Sequence, residues 1–439
     1  GTAMTTWNAW LPFLVPATSL LAGTAIFWMR EDQHRLRVWM NIGSAVLKIL
    51  LVALMLWGVY EHQVYEFRLP LFGRVHLVLH ADPMSLLFVS LSALLWLVTT
   101  VYAIGYLEDS PNRSRFFGFF SLCVSATTGI ALAGNLITFL IMYEFLTLST
   151  YPLVVHRGTP QALRAGRTYL AYTLGGGAVL LVAVAWLYTR SAPAQFLERG
   201  SLAGLAVTHR RELVVIFFLL VTGLGVKAAL VPLHGWLPVA MVAPAPVSAL
   251  LHAVAVVKAG AFGLVRVVYD LYGITLCRDL GVLPPLAVAA AITIVYGSVR
   301  ALFQDDLKRR LAYSTVSQVS YIALGIATLG PLATTGGIVH LVHQGLMKIT
   351  LFLCAGNFAE RLHIHRVSEM DGVGKRMPWT TAAFTLAAFG MIGVPPMAGF
   401  VSKWHIGLGA LEAGTPWVIL VLLASSALNA AYFLPIVYR

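Results

Sequence analysis

Apolar runs of about 18 to 25 residues follow one another along almost the whole chain, and each is long enough to cross a bilayer as a helix. Short polar loops separate them. The pattern predicts thirteen spans, over 8–29, 38–60, 83–106, 116–133, 135–155, 168–189, 212–232, 243–269, 281–301, 312–330, 332–357, 378–411 and 416–437. One loop breaks the rule. "VYEFRLPLFGRVHLVLH" (64–80) alternates apolar and polar residues around a Leu-Phe-Gly-Arg turn, which predicts a small β-hairpin. The expected fold class is therefore all-α: a polytopic membrane protein of about thirteen transmembrane helices.

Spans seven and twelve are interrupted in the same way. "ALVPLHGWLP" (229–238) breaks one at Pro232, His234 and Gly235; "IGVPPMAGFVSKW" (392–404) breaks the other at Pro395 and Pro396. The two lie five spans apart. Five is odd, so copies of a five-helix unit would have opposite topology, and broken helices at matching places of inverted repeats point to a site near the midplane. Backbone freed by a break must face protein or water rather than lipid.

Composition sharpens this picture. Of 439 residues, 59% are hydrophobic and 11% charged, against about a quarter charged in soluble domains. The first apolar run begins near Leu11 without a basic leader, so no cleavable signal peptide is expected. Cys123, Cys277 and Cys354 make neither a disulfide framework nor a zinc site. The net charge of +12 lies in the loops between spans, which argues for a membrane and against nucleic acid. With the N-terminus outside, the inside loops hold 15 Lys and Arg and the outside loops 7. The positive-inside bias therefore sets the N-terminus outside and Arg439 inside, although the outer loop at 190–211 carries four arginines.

Seven cations fall inside the predicted spans: Lys48, Lys227, Lys258, Arg266, Arg300, Lys348 and Lys403. Arg266 and Arg300 sit near span ends, where snorkelling is the expected behaviour. Lys48 is central in span two and reads as a peripheral structural charge. The other four lie deep or beside the breaks, and each charge at the bilayer centre costs roughly 2.5–3.5 kcal/mol on insertion scales. Buried lysine loads and releases a proton readily. Glu144 is the acidic residue deep in a span, and Lys227 is its expected counter-ion. A switchable pair and a static pair both fit.

Histidines extend the set. His252 and Lys258 stand six residues apart on span eight, about 9 Å along a regular helix and on different faces. His340, Gln344 and Lys348 stand at i, i+4 and i+8 on span eleven, with His343 beside them, which suggests a proton wire. His363 and His365 lie in a loop without further ligands and read as solvated. "TLGGGAVLL" (173–181) lacks the Lys-Ser/Thr of a phosphate loop, so close helix packing is expected there. No metal, flavin, haem or iron–sulfur ligand set is visible, and no cofactor is expected.

These segments resemble a known family: the antiporter-like subunits of complex I, the large subunits of Mrp-type cation/proton antiporters, and membrane-bound hydrogenase relatives. The marks are "EFLTLSTYPLV" with Glu144, "GVKAALVPLHGWLPVAMVAPAPVSALLHAVAVVKAG" with Lys227, His252 and Lys258, "DDLKRRLAYSTVSQVSY" (305–321), "HLVHQGLMKITLFLCAGN" with His340 and Lys348, and the span-twelve segment ending in Lys403. The resemblance implies fourteen core helices, inverted five-helix repeats and a central line of charges joining two half-channels. It implies a three-helix N-terminal segment (1–112) and repeats over 113–275 and 276–439. A further helix would follow "LPIVYR", where this chain stops. In many relatives the second histidine of span eleven stands four residues after the first, a place held here by Gln344.

The expected function is proton translocation, with possible exchange against Na⁺ or K⁺. The proton and ion pathway would run through Glu144, Lys227, His252, Lys258, His340, His343, Gln344, Lys348 and Lys403. Expected partners are other membrane subunits of a multi-subunit complex, in a bacterial-type inner membrane, with no redox chemistry in this chain. A proton-coupled carrier for inorganic carbon or a small solute is the alternative.

Overall fold

The computed structural model describes residues 6–73, 75–108, 110–190, 194–197, 200–328, 331–392, 408 and 417–438. Its first half holds α1 (Thr6–Phe27), α2 (His34–Tyr60), β1 (Glu66–Phe72), β2 (Val75–His80), α3 (Pro83–Tyr106), α4 (Arg113–Leu132), α5 (Leu136–Val154), α6 (Pro160–Arg190) and α7 (Arg210–Lys227). Then come a short α8 (Trp236–Val239) and a long helical segment from Ala245 to Tyr272. The rest comprises α11 (Ile274–Leu280), α12 (Leu283–Leu302), α13 (Leu307–Ala327), α14 (Pro331–Leu362), α15 (Val373–Arg376), α16 (Pro378–Ile392) and α17 (Trp417–Tyr438). Among the described residues nine helices are long and apolar enough to cross a membrane: α1 to α6, the 245–272 segment, α12 and α17.

β1 and β2 pair antiparallel, with Glu66 opposite His80. The hairpin therefore forms where period-2 alternation predicts it, at the end of the bundle where α2 finishes and α3 begins. Asp82 closes the connection: its carboxylate accepts from the Ser85 amide at 2.7 Å, and the Ser85 hydroxyl accepts from the Asp82 amide, a reciprocal cap ahead of Pro83 at N1. α2 shows how the helices divide their surfaces. Arg37, Asn41, Ala45, Lys48 and Val52 are buried on one face, while Trp39, Leu50 and Trp57 are exposed on the other.

Span seven departs from expectation. The helix ends at Lys227, not at Pro232. Ala229 takes a left-handed φ of 59°, its amide bonds to the Val226 carbonyl, and the Leu230 amide reaches back to Gly225. This is a Schellman cap built on alanine rather than glycine, so no glycine signal marked it. Span eight departs as well. It comprises α9 (Ala245–Ala249), a π turn (Leu250–Val254), α10 (Val256–Arg266) and a second π turn (Val267–Tyr272). Ala255, at φ −135° and ψ −74°, leaves helical geometry between them. The 245–272 segment is the most enclosed helix of the bundle and touches α3, α4, α7, α13 and α14.

Pro395, Pro396 and Lys403 lie outside the described residues. His340, His343 and Gln344 fall on the α14 backbone, and their side chains also lie outside the description.

Candidate functional site: buried lysines along the bundle

Lys227 is the last residue of α7 and is fully buried. Its ammonium donates to the Thr147 hydroxyl of α5 and lies over the Tyr143 ring, 4.3 Å from the centroid. Tyr143 is held in turn, because its hydroxyl donates to the Gly223 carbonyl at 3.1 Å. Thr147 hands its own hydrogen to the Tyr143 carbonyl at 3.3 Å, which leaves its oxygen to accept from the lysine. On the other side, the Trp236 indole donates to the Val226 carbonyl at 2.7 Å and satisfies part of the exposed end of α7.

Glu144 makes no direct ion pair with Lys227, although the two charges lie close enough to act on each other through space. It is partly buried on α5, and no oxygen of it comes within 4 Å of the Lys227 ammonium. Its carboxylate packs against Gly177 of α6, and its Oε1 has no hydrogen-bond partner among the described residues. The glycine run thus does more than let helices approach. Gly176 packs on Val226 and Gly223, while Gly177 leaves room for the carboxylate. Lys227 and Glu144 sit on adjacent elements with Tyr143 and Thr147 as the lysine's immediate partners. Neither of these two was singled out from sequence, since a tyrosine and a threonine in an apolar run are ordinary there.

The remaining described candidates follow along the bundle. Lys258 is 1% exposed on α10. Gly260, two residues on, packs so closely on the Ala228 backbone that a side chain there would overlap it; this ties Lys258's helix to the end of α7. His252 lies in the π turn, buried and stacked on Phe352 of α14, with centroids 4.2 Å apart. Neither of its ring nitrogens has a hydrogen-bond partner among the described residues. The π turn and Ala255 intervene between His252 and Lys258, so their relation is not that of a regular helix. Lys348 is fully buried on α14, donates to the Leu311 carbonyl at 2.8 Å, and lies 6.0 Å from the Phe433 ring centroid. His234, in the segment after α7, sits edge-on to Tyr296 at 5.1 Å.

Arg266 corrects a second expectation. It does not snorkel. It is 1% exposed and donates to Asp82 at 2.7 and 3.2 Å and to Asp270 at 2.7 Å, beneath the hairpin end of α3. Phe262 and Phe196 cover it. Burial pushes the Asp82 carboxyl up, but the charge and hydrogen bonds of Arg266, with those of Ser85, outweigh it and hold Asp82 below the usual carboxylate range. Arg300 does reach the surface, where its guanidinium meets the Tyr313 hydroxyl at 3.2 Å. Cys123, Cys277 and Cys354 are buried free thiols.

Fold and site together define a multi-pass helical membrane protein with ionisable side chains buried along its interior. Residues 133–429 match the sequence model described as NADH:quinone oxidoreductase/Mrp antiporter, transmembrane, and residues 72–117 match that of the complex I chain 5 N-terminus. The chain belongs to this family of antiporter-like, proton-translocating membrane subunits. It is 38% identical over 365 residues to NADH-quinone oxidoreductase subunit N of Desulforudis audaxviator, covering 81% of this chain and 71% of that one. It is 32% identical over 430 residues to subunit L of Mycobacterium tuberculosis, covering 94% of this chain and 65% of that one. The fold superposes on a chain of the Mrp complex from Dietzia sp. DQ12-45-1b with a TM-score of 0.88 at 26% identity, covering 98% and 80% of the two chains.

Proposed function

We propose that this chain carries protons across the membrane along Glu144, Lys227, Lys258, His252 and Lys348, continuing through His340, His343 and Gln344 to Lys403. The observation that carries the reading is the chemistry around Lys227 and Lys348. Both are fully buried in the bundle, and their immediate partners are a hydroxyl, a carbonyl and aromatic rings rather than carboxylates. Neither ammonium is bonded to a carboxylate, so giving up its proton breaks no direct ion pair. Threonine accepts from the charged form and can donate to the neutral one.

In this reading the helix end at Lys227 and the segment through Pro232, His234 and Gly235 interrupt the span beside the lysine, where internal water would reach it. A matching break at Pro395 and Pro396 would serve the second half-channel, in thirteen spans arranged as an N-terminal segment (1–112) and two inverted repeats (113–275 and 276–439). The N-terminus would lie outside and Arg439 inside a bacterial-type inner membrane, following the loop charge bias. The chain would work among other membrane subunits, driven by a redox partner or by exchange against Na⁺ or K⁺. An uncoupled proton would only run downhill, at about 2.3 kcal/mol per charge per 100 mV.

The test is Lys227→Met in the assembled complex, reconstituted into vesicles. Proton movement should be lost while the subunit still assembles. Wild-type proton movement by an assembled variant would remove Lys227 from the pathway and the reading with it.

A further inference from the structure

We propose that the end of the bundle opposite the hairpin holds a site for one aminophospholipid, recognised by its phosphoethanolamine headgroup. The site is separate from the buried lysines and does not depend on the proton reading. A cavity of about 650 Å³ opens there between α2, α3 and α4, lined by His34, Arg37, Asn41, Gly105, Glu108 and Arg113 among others. Pockets for small ligands occur at roughly 300–1,000 Å³. α2 and α4 begin at this level and α3 ends. Trp28 and Trp39 are exposed beside it, and exposed tryptophan marks the headgroup layer of a membrane protein.

The walls select the ligand. Asn41 is 1% exposed, and its Nδ2 has no hydrogen-bond partner among the described residues. Arg113 Nε is buried and likewise has none. Buried donors rarely stay unpaired in a native protein, so an acceptor is expected where these two residues line the cavity. Arg37 is held by Ser114 Oγ at 2.8 Å and by the Arg30 and Glu31 carbonyls at 3.4 and 3.3 Å, and makes no ion pair among the described residues. The Glu31 carboxylate accepts from the Arg113 and Ser114 amides at 3.1 and 2.9 Å and lies 3.8 Å from Arg113 Nε. Two guanidiniums against this one carboxylate leave one positive charge, which matches a phosphodiester. Glu108 gives its backbone carbonyl to Arg113 Nη1, while its carboxylate makes no ion pair among the described residues. That leaves one negative charge at the same cavity, which matches an ammonium. A phosphate and a primary ammonium on one headgroup meet both. A glycerol headgroup carries no cation for Glu108, and a trimethylated one has no N–H to donate to it. The apolar surface beyond the cavity favours a lipid over a free headgroup. On α3, Gly105, Val101, Val98 and Leu94 follow at i, i−4, i−7 and i−11 and are all exposed. They run for about 16 Å, close to one leaflet's share of the ~30 Å hydrocarbon core. A side chain at Gly105 would meet nothing within 4 Å, so the cavity opens past this glycine onto the stripe.

The test uses the assembled complex, stripped of loosely held lipid in detergent and mixed with phosphatidylethanolamine, phosphatidylcholine, phosphatidylglycerol or water-soluble glycerophosphoethanolamine. Native mass spectrometry counts the lipid retained on this subunit, and the thermal midpoint is followed alongside, since a ligand of the folded state raises it. Wild type should retain one phosphatidylethanolamine in preference to the other two lipids by roughly tenfold, the worth of one hydrogen bond to a charged group. Glycerophosphoethanolamine at equal concentration should not raise the midpoint. Gly105→Trp, whose ring enters open space and fills the cavity, should lose that one molecule. Asn41→Leu should retain it less well. Glu108→Gln, a surface change, should erase the preference over phosphatidylcholine, and it decides the matter if the other two variants fail to assemble. Equal retention of the three lipids by wild type, or an undiminished preference in Glu108→Gln, would overturn the aminophospholipid site. Unchanged retention in both Gly105→Trp and Asn41→Leu would overturn its placement in this cavity. Stabilisation by glycerophosphoethanolamine as strong as that by the lipid would overturn it in favour of a soluble ligand.

Discussion

The Lys227 ammonium lies over the Tyr143 ring, 4.3 Å from its centroid, and the neighbouring Glu144 points its carboxylate to Gly177 instead. One residue of α5 cradles the lysine and the next leaves it. The helix turns by about 100° per residue, so adjacent side chains cannot both face α7. Any coupling between Glu144 and Lys227 is therefore through space rather than by contact.

This arrangement makes Thr147 a positioning residue for the proton carrier. Thr147→Val keeps the shape but removes the acceptor. A hydrogen bond to a charged group contributes about 1.5–3 kcal/mol, so loss of it should favour the neutral amine and slow proton movement by roughly ten- to a hundredfold. Thr147→Ser should retain most activity. Proton uptake by reconstituted vesicles measures both, and equal rates in Val and Ser variants would remove Thr147 from the mechanism.

Gly177 and Gly175 give a matched pair. A methyl group at Gly177 would overlap Glu144 Oε1, while nothing lies within 4 Å of one at Gly175. Gly177→Ala should impair proton movement by displacing the carboxylate, and Gly175→Ala should leave it unchanged. Similar effects from both would show that the glycines act only through helix packing.

The Arg266 cluster is predicted to hold α10 to the hairpin end of α3. Arg266→Leu leaves two carboxylates without their cation, and breaking one side of a buried pair costs about 3–5 kcal/mol. The pH dependence has a definite sign. Asp82 is held below the usual carboxylate range, so its contribution is present above its unfolded pKa of about 3.9 and is lost as pH falls through the lower folded value. Thermal unfolding in detergent should therefore place Asp82→Asn below wild type at pH 7, with the gap closing only in strong acid. A gap independent of pH would indicate a loss of packing instead.

His252 separates a proton carrier from a packed aromatic. It stacks on Phe352 at 4.2 Å in the π turn. His252→Phe preserves the stack and removes both ring nitrogens. General acid–base groups contribute about 10²–10⁴-fold where they act, so proton movement should fall by about two orders of magnitude while thermal stability stays near wild type. Unchanged transport would leave His252 as a core residue.

The sequence by itself determined the helical multi-pass character, the hairpin and which side chains carry ionisable chemistry. These follow from local rules: bilayer thickness sets the apolar run length, the pleat sets the period of two, and charge in an apolar run is costly enough to mark itself. It also marked the segment at Pro232, since proline withdraws a backbone donor wherever it stands. Only the tertiary structure decided what each charge touches. Arg266 looked like a snorkelling residue because Asp82 lies 184 positions away, and no periodicity reports a partner at that separation. Lys48 looked peripheral because Ser19, Trp96 and Thr128 belong to three other helices. Lys227 found a threonine and a tyrosine ring while Glu144 turned to Gly177, because α5 and α7 each pack on α6, at Gly177 and at Gly176–Gly223 respectively. Helix rotation is a property of pairs of surfaces, and a single run of apolar residues with a small hydrophobic bias per face leaves it open.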